Sequence, residues 1–178
     1  MPSPLAGPPV GRPCRILASP KRIALNPYFA TISGGLERRG WPVEDFTYIR
    51  GFLGGFDILH VHFPAFPFNN RRLWITAARL LLFVSIVALS QARGKRVVWT
   101  VHNLAHHEGY YPALEKMFMN WFADRVDLTV HLSESGRAAA MGTTGLHDQG
   151  FVAPDPIPVA GPTAWGPIWP GFLPSRFS

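Results

Sequence analysis

A cluster of titratable side chains follows directly after an apolar run near the middle of the chain. Residues 97–101 are rich in β-branched types, which is typical of a strand covered on both faces, as in a parallel sheet. The run ends in a short polar segment that contains His102, Asn103, His106, His107 and Glu108. Because open α/β sheets bind ligands at the carboxyl ends of their strands, this strand end is the predicted site.

These residue types are suited to proton transfer and to binding phosphate. An imidazole accepts a proton near neutral pH, and a carboxylate does so when its pKa is tuned. We therefore take His102 and Glu108 as candidate catalytic residues, and the helix predicted to begin at Asn26 as a candidate phosphate-stabilising element. The structural alternatives are a hydrogen-bonding His102, a solvated Glu108 and an Asn26 that only caps its helix.

The histidines also allow a metal-binding hypothesis. His60 and His62 lie two residues apart on a predicted strand, and together with His102, His107 and Glu108 they supply the donors that zinc accepts. The remaining donors of the well-known hydrolase patterns are absent from the sequence, so a zinc-dependent hydrolase is the lesser alternative. We assign no residue to a metal and leave dependence on a divalent metal open.

The elements that must position these residues alternate between strand and helix. This alternation predicts an α/β fold, a Rossmann-like parallel sheet with flanking helices and right-handed crossovers. The Gly-rich segment 51–55 is expected to be a flexible loop. Strands are predicted at 15–18, 43–49, 57–63, 97–101 and 127–132, and helices at 26–39, 71–93, 112–123 and 133–141.

Composition divides the chain into three segments. Residues 1–14 are rich in Pro and Gly and are predicted to be a disordered lead-in. Residues 15–141 contain the predicted domain. Residues 142–178 are rich in Pro, Gly and Trp without helical or strand periodicity, so we expect an irregular tail. The abrupt change of composition suggests truncation or a shifted reading frame.

The net charge of +6 and the sequence pI of about 10.1 predict a surface that attracts anions. Phosphorylated substrates and acidic lipid headgroups fit this charge. Nucleic acid is not an expected partner, because no dense Lys/Arg run and no nucleic-acid-binding motif is present. The single cysteine, Cys14, allows no intramolecular disulfide and suits a reducing compartment, so a cytoplasmic location is expected.

The apolar helix predicted over residues 71–93 raises the question of a membrane. Its length would span a bilayer, but Arg79 near its middle would cost about 2.5–3.5 kcal/mol on insertion scales. We therefore expect a buried crossover helix with one face resting on lipid, and peripheral contact of the protein with the inner, cytoplasmic face of an anionic membrane.

Several motifs together resemble the N-terminal, acceptor-side domain of GT-B glycosyltransferases of the bacterial type that use nucleotide sugars to build exopolysaccharides and glycolipids. The resemblance covers about residues 15–141 and depends on the order and spacing of the motifs. The matching segments are Asn26-Pro27-Tyr28, the run 56–64, the run 99–104 followed by His107-Glu108, the run 124–127, and Ser133-Glu134-Ser135.

In the resembled enzymes two Rossmann-like domains face each other across a cleft, and the N-terminal one holds the acceptor. The resemblance implies that His102 lies near the sugar or its phosphates and that Glu108 lies close to the acceptor. The other residues that the resemblance implies to be substrate-binding are Asn26, Tyr28, His62, Asn103 and His107.

The resemblance also implies the substrates and partners. The donor is a nucleotide sugar acting as co-substrate, no cofactor is tightly bound, and the acceptor is a glycan or a lipid-linked sugar. The second domain of the family, which binds the nucleotide, has no counterpart in these 178 residues, so a separate C-terminal donor domain is expected. The alternative from another class is a non-catalytic domain that binds a glycan or a membrane.

Overall fold

The fold is built on one sheet of six parallel strands in the order β2-β1-β3-β4-β5-β6. A computed structural model describes residues 12–21, 27–101, 110–135, 137–138 and 150–152. The α/β parallel sheet with flanking helices is thus confirmed. The strands are β1 (Ile16–Ser19), β2 (Val43–Asp45), β3 (Ile58–Val61), β4 (Arg96–Val101), β5 (Leu128–His131) and β6 (Gly150–Val152).

Helices cover both faces of this sheet. On one face, helix α1 packs Ile32 and Leu36 against β1 and β3. On the other face, α3 and α4 supply Phe83 and Phe122 to the larger core, and α2 packs beside them. A short 3₁₀ helix at Phe66–Phe68 precedes α3. The helices are α1 (Pro27–Arg38), α2 (Tyr48–Leu53), α3 (Leu73–Ala92) and α4 (Pro112–Ala123).

Most elements have the bounds that local sequence signals predicted. Helix α1 begins at Pro27 and ends at Arg38, each within one residue of the predicted 26–39, and Gly40 follows with a φ of 81°, a left-handed conformation that favours glycine. Helix α3 occupies Leu73–Ala92 within the predicted 71–93. Glu134, Ser135, Arg137 and Ala138 are helical, as expected after β5.

The second strand and the loop after it were predicted wrongly. The structure ends β2 at Asp45 and forms α2 where the sequence suggested more strand and a flexible loop. The Thr47 hydroxyl accepts a hydrogen bond from the Arg50 N–H (3.2 Å), and Gly54, at φ 69°, ends the helix. This Thr cap and Gly stop outweigh the strand propensity of a short apolar segment.

Both predicted boundaries of the domain also need correction. Cys14, assigned to the lead-in, is buried at the start of β1, and Arg12 forms an ion pair with Asp57. At the other end β6 belongs to the segment 142–178 that was expected to be irregular. Three residues suffice there because β5 offers them an edge with unpaired backbone groups. The rest of both segments lies outside the described residues.

Two buried or half-buried carboxylates tie the amino ends of the strands together. Asp57, 1% exposed, accepts hydrogen bonds from the Arg12 guanidinium (2.7 Å) and from the Arg15 backbone N–H (3.0 Å). Asp127 repeats the arrangement with the Arg96 guanidinium (2.8 Å) and the Val97 backbone N–H (2.7 Å). Each carboxylate thus links its own strand to the neighbouring strand.

Substitution of Asp57 tests this link. Asp57→Asn removes the charge from a buried site, so we expect the free energy of unfolding to fall by about 2–3 kcal/mol. Glu44→Gln is the control, because Glu44 pairs with Arg15 at the surface and should lose less than about 1 kcal/mol. Urea unfolding of both variants measures the difference, and equal losses would contradict the structural role of Asp57.

Two glycine-to-alanine substitutions in helices should change the free energy of unfolding in opposite directions. A Cβ on Gly51 of α2 would lie 2.8 Å from Cδ1 and 2.9 Å from Cγ2 of Ile86, so Gly51→Ala should destabilise by about 0.5–2 kcal/mol despite better helix propensity. A Cβ on Gly35 of α1 meets only Arg38 at 3.9 Å, so Gly35→Ala should stabilise by about 0.5–1 kcal/mol. Urea midpoints that shift the same way would contradict this packing.

Candidate functional site

The strand order defines a crevice at the carboxyl ends of β1 and β3. From β1 the chain passes to α1 on one face of the sheet, whereas from β3 it passes to α3 on the other face. Ligands of open α/β sheets bind where neighbouring strands send their connections to opposite faces. The crevice between β1 and β3 is therefore the candidate site of this fold.

Two of the residues singled out from the sequence meet beside this crevice. Tyr28, in the first turn of α1, and His62, directly after β3, have ring centroids 6.1 Å apart in an edge-to-face arrangement. Phe29 contacts the same imidazole edge-on at 4.9 Å. His62 is 3% exposed, so it lies in the layer between the sheet and α1. Its ring therefore lines the site from inside the protein and is not open to solvent.

A buried polar layer continues from His62 beneath the crevice. The rings of His60 and His62 lie 4.2 Å apart, and His60 Nε2 lies 2.8 Å from the Thr100 hydroxyl oxygen of β4. His60 and Thr100 are at most 3% exposed. These hydroxyl and imidazole groups can each donate and accept hydrogen bonds, so the layer can hold in place the residues that follow β3 and β4.

Tyr28 completes this layer in its neutral form. Burial of its hydroxyl raises the pKa of Tyr28 far above its ordinary value, and the Thr100 hydroxyl beside it offsets only part of that effect. The phenol therefore keeps its proton at neutral pH. It can orient a ligand or a neighbouring group through a hydrogen bond, but it cannot serve as a general base.

The other sequence candidates lie outside the described residues. They are Asn26, His102, Asn103, His107 and Glu108. The described part of β4 runs through Val101 between β3 and β5, so the chain leaves the sheet toward His102 at the same carboxyl edge as His62. This central position of β4 agrees with the prediction made from its continuous apolar run.

Sequence reasoning named no role for Thr100, and it gave His60 a role only in the metal-binding alternative. The available signal was the single hydroxyl residue within an apolar strand, but its partner, His60, is 40 residues away and on another strand. His131 is 2% exposed on the opposite face of the sheet, with Nε2 3.1 Å from the Thr129 hydroxyl oxygen.

The part of the chain that the structure describes contains no cluster of side chains that could hold a metal ion. Within those residues no three His, Cys, Asp or Glu side chains come together. His60 and His62 are close to each other, but the other donors of the metal-binding hypothesis, His102, His107 and Glu108, lie outside the described ranges.

A separate surface cavity of about 260 Å³ opens at the amino-terminal edge of the sheet. Its charged lining consists of Glu44, Arg15 and Arg50, and the carboxylate of Glu44 forms ion pairs with both arginines. Hydrogen bonding and the positive charge of these arginines lower the pKa of Glu44. Because both arginines already pair with Glu44, this cavity is a weaker candidate than the crevice at the carboxyl edge.

No protein-family model matches this chain, and no curated protein matches it. The function must therefore be argued from the fold and from the residues at the carboxyl edge.

The buried Tyr28 hydroxyl predicts a specific dependence of stability on pH. Since its pKa is raised in the folded state, the native chain keeps a proton that the unfolded chain loses above about pH 10. The stabilisation is complete below that pH and falls as the pH rises. The wild type should therefore lose stability relative to Tyr28→Phe between neutral pH and about pH 11. Urea unfolding across this range measures it, and a constant difference would contradict the burial of the hydroxyl.

Proposed function

We propose that this chain is the acceptor-side domain of a nucleotide-sugar-dependent glycosyltransferase of the GT-B type, acting on a glycan or a lipid-linked sugar. The observation that supports this most is the central position of β4. The described part of this parallel strand ends at Val101, at the sheet edge where α/β folds bind their ligands, and His102 is the next residue in the sequence.

The buried polar layer adds support. Sugar transfer needs side chains that are held in one orientation, because misplacement of a reacting group by about 1 Å can cost a hundredfold in rate. Tyr28, His60, His62 and Thr100 form a polar layer beneath the crevice, in which His60 and Thr100 share a hydrogen bond and the His62 ring contacts the rings of Tyr28 and His60. An edge made only for stability would be filled more simply by apolar side chains.

In the proposed reaction an acceptor hydroxyl oxygen forms a bond to the anomeric carbon of the donor. The bond from that carbon to the phosphate oxygen breaks, and the nucleoside diphosphate leaves with the bonding electron pair. The hydroxyl proton goes to a base, for which His102 and Glu108 are the candidates. The amino end of α1, at Asn26-Pro27, stabilises the departing diphosphate.

The proposed division of labour assigns the acceptor to this domain and most of the nucleotide to a C-terminal donor domain. Asn26, Tyr28, Asn103 and His107 would line the acceptor side of the cleft, and His62 would support it from below. The non-catalytic alternative, a domain that binds a glycan or membrane without turnover, uses the same edge and differs in the absence of transfer.

Replacement of His102 is the sharpest test of the proposal. With ¹⁴C-labelled GDP-mannose and UDP-glucose as donors and a bacterial lipid extract as acceptor source, His102→Ala should lower the transfer rate by at least about a hundredfold. The assay uses the full chain, with and without a supplied GT-B donor domain. Glu108→Gln should also lower the rate, because it removes a candidate base without changing the size of the side chain.

His106→Ala is the matched control, because it removes an imidazole from the same segment at a position to which we assign no role. Its transfer rate should stay within about twofold of wild type, well below the hundredfold effect of losing a general base. Unchanged transfer in His102→Ala would overturn the catalytic assignment. Absence of transfer under every condition, with glycan binding retained, would favour the non-catalytic alternative.

A further inference from the structure

The exposed apolar surface of the described chain is concentrated on one side of the molecule. Every large apolar side chain that is exposed within the described ranges belongs to α2, α3 or α4, or lies within two residues of α4. Helix α1, on the opposite face of the sheet, has none. These side chains are Ile49, Leu53, Leu73, Trp74, Leu81, Leu82, Tyr110 and Met117.

Apart from the half-buried Arg79, helix α3 carries no charged residue. Its inner face is fully buried against the sheet, with Phe83, Ile86 and Val87 each at 0% exposure. Its outer face presents Trp74 and Leu81, each 68% exposed, and no charged residue. Each residue on the outer face lies three or four positions from another one. Together they form one stripe, the α3 stripe, made of Trp74, Ala77, Ala78, Leu81, Ser85, Ala88 and Ala92.

Positive charge lies at both ends of the α3 stripe. Arg71 and Arg72 are exposed just before the helix, and Arg93 is exposed just after it. Helices α2 and α3 contain no acidic residue, and the acidic residue of α4, Glu115, is 7% exposed. An apolar surface with this charge at its ends is complementary to anionic headgroups around a hydrocarbon layer.

We infer that the α3 stripe rests on the surface of an anionic lipid bilayer, with the helix axis parallel to the membrane plane. Trp74 and Leu81 enter the boundary between headgroups and acyl chains, and Arg71 and Arg72 contact lipid phosphates. This inference is independent of the proposed sugar transfer, since it concerns a different surface and predicts binding with no donor or acceptor present.

The fold distinguishes this arrangement from a membrane-spanning one. Helix α3 is, among the described residues, the one helix long and apolar enough to cross a bilayer. To do so it would have to withdraw Phe83, Ile86 and Val87 from the core that α3 shares with β4 and α4. A helix that lies in the interface exposes only its outer stripe to lipid and keeps that core intact.

Charge also argues for lipid over a second copy of this chain. Two copies joined through the α3 stripe would bring their exposed Arg71 and Arg72 side chains onto one interface, with no acidic residue of α2 or α3 to pair with them. Anionic lipid supplies the missing negative charge, at a contribution of about fivefold in affinity for each arginine near the surface.

Vesicle sedimentation of the full chain tests the inference. The chain should bind vesicles of phosphatidylcholine with phosphatidylglycerol far more tightly than vesicles of phosphatidylcholine alone, and added salt should weaken binding. The double variant Trp74→Ser/Leu81→Ser should reduce the partition coefficient at least about tenfold. Arg71→Gln/Arg72→Gln should reduce it by roughly 25-fold. All these side chains are exposed, so urea midpoints should stay near wild type.

Arg38→Gln/Arg39→Gln is the matched control, because it removes the same two charges at the end of α1 on the opposite face of the sheet. It should keep binding within about twofold of wild type, against the roughly 25-fold loss for the arginines at α3. Equal losses in the two arginine pairs would overturn the assignment to α3. So would failure to bind anionic vesicles, or light scattering that shows a lipid-independent dimer abolished by Trp74→Ser/Leu81→Ser.

Discussion

The buried carboxylate of Asp57 is the constraint on which the arrangement of the sheet depends. It receives the Arg12 guanidinium and the Arg15 backbone N–H, and the Lys95 ammonium lies 4.0 Å away, so it joins the amino ends of β1, β3 and β4. Asp127 does the same between β4 and β5. With the amino edge fixed by charge-assisted hydrogen bonds, neighbouring strands end at a common carboxyl edge, and the residues beyond them share one space.

The two faces of the sheet differ in a way that follows from their neighbours. The face toward α2, α3 and α4 is packed with aromatic rings, such as Phe83 and Trp99, which bury large area without fixing polar groups. The face toward α1 holds His60, Thr100 and Tyr28, whose hydrogen bonds require defined orientations. Stability is thus concentrated on one face, and orientation of the candidate site on the other.

The same aromatic face explains why α3 is apolar almost all round, with Arg79 as its one charged residue. Its inner residues complete the core, so their apolar character follows from packing, whereas nothing in the described fold covers Trp74 or Leu81. Hydropathy summed along the helix does not distinguish a helix that crosses a membrane from a core helix with an additional exposed stripe. Burial of Phe83 separates the two cases, because one face of a packed helix is already occupied.

Local signals in the sequence determined the alternation of strands and helices, the central strand β4, and the start and end of α1, since periodicity and caps act within a few residues. The candidate site residues Asn26 and those between His102 and Glu108 were also predicted from the sequence alone. Only the tertiary structure decided that Arg12 belongs to the fold, that β6 extends the sheet, and that Tyr28 meets His62 over a buried Thr100. Those facts depend on contacts between residues distant in sequence, which no local pattern encodes.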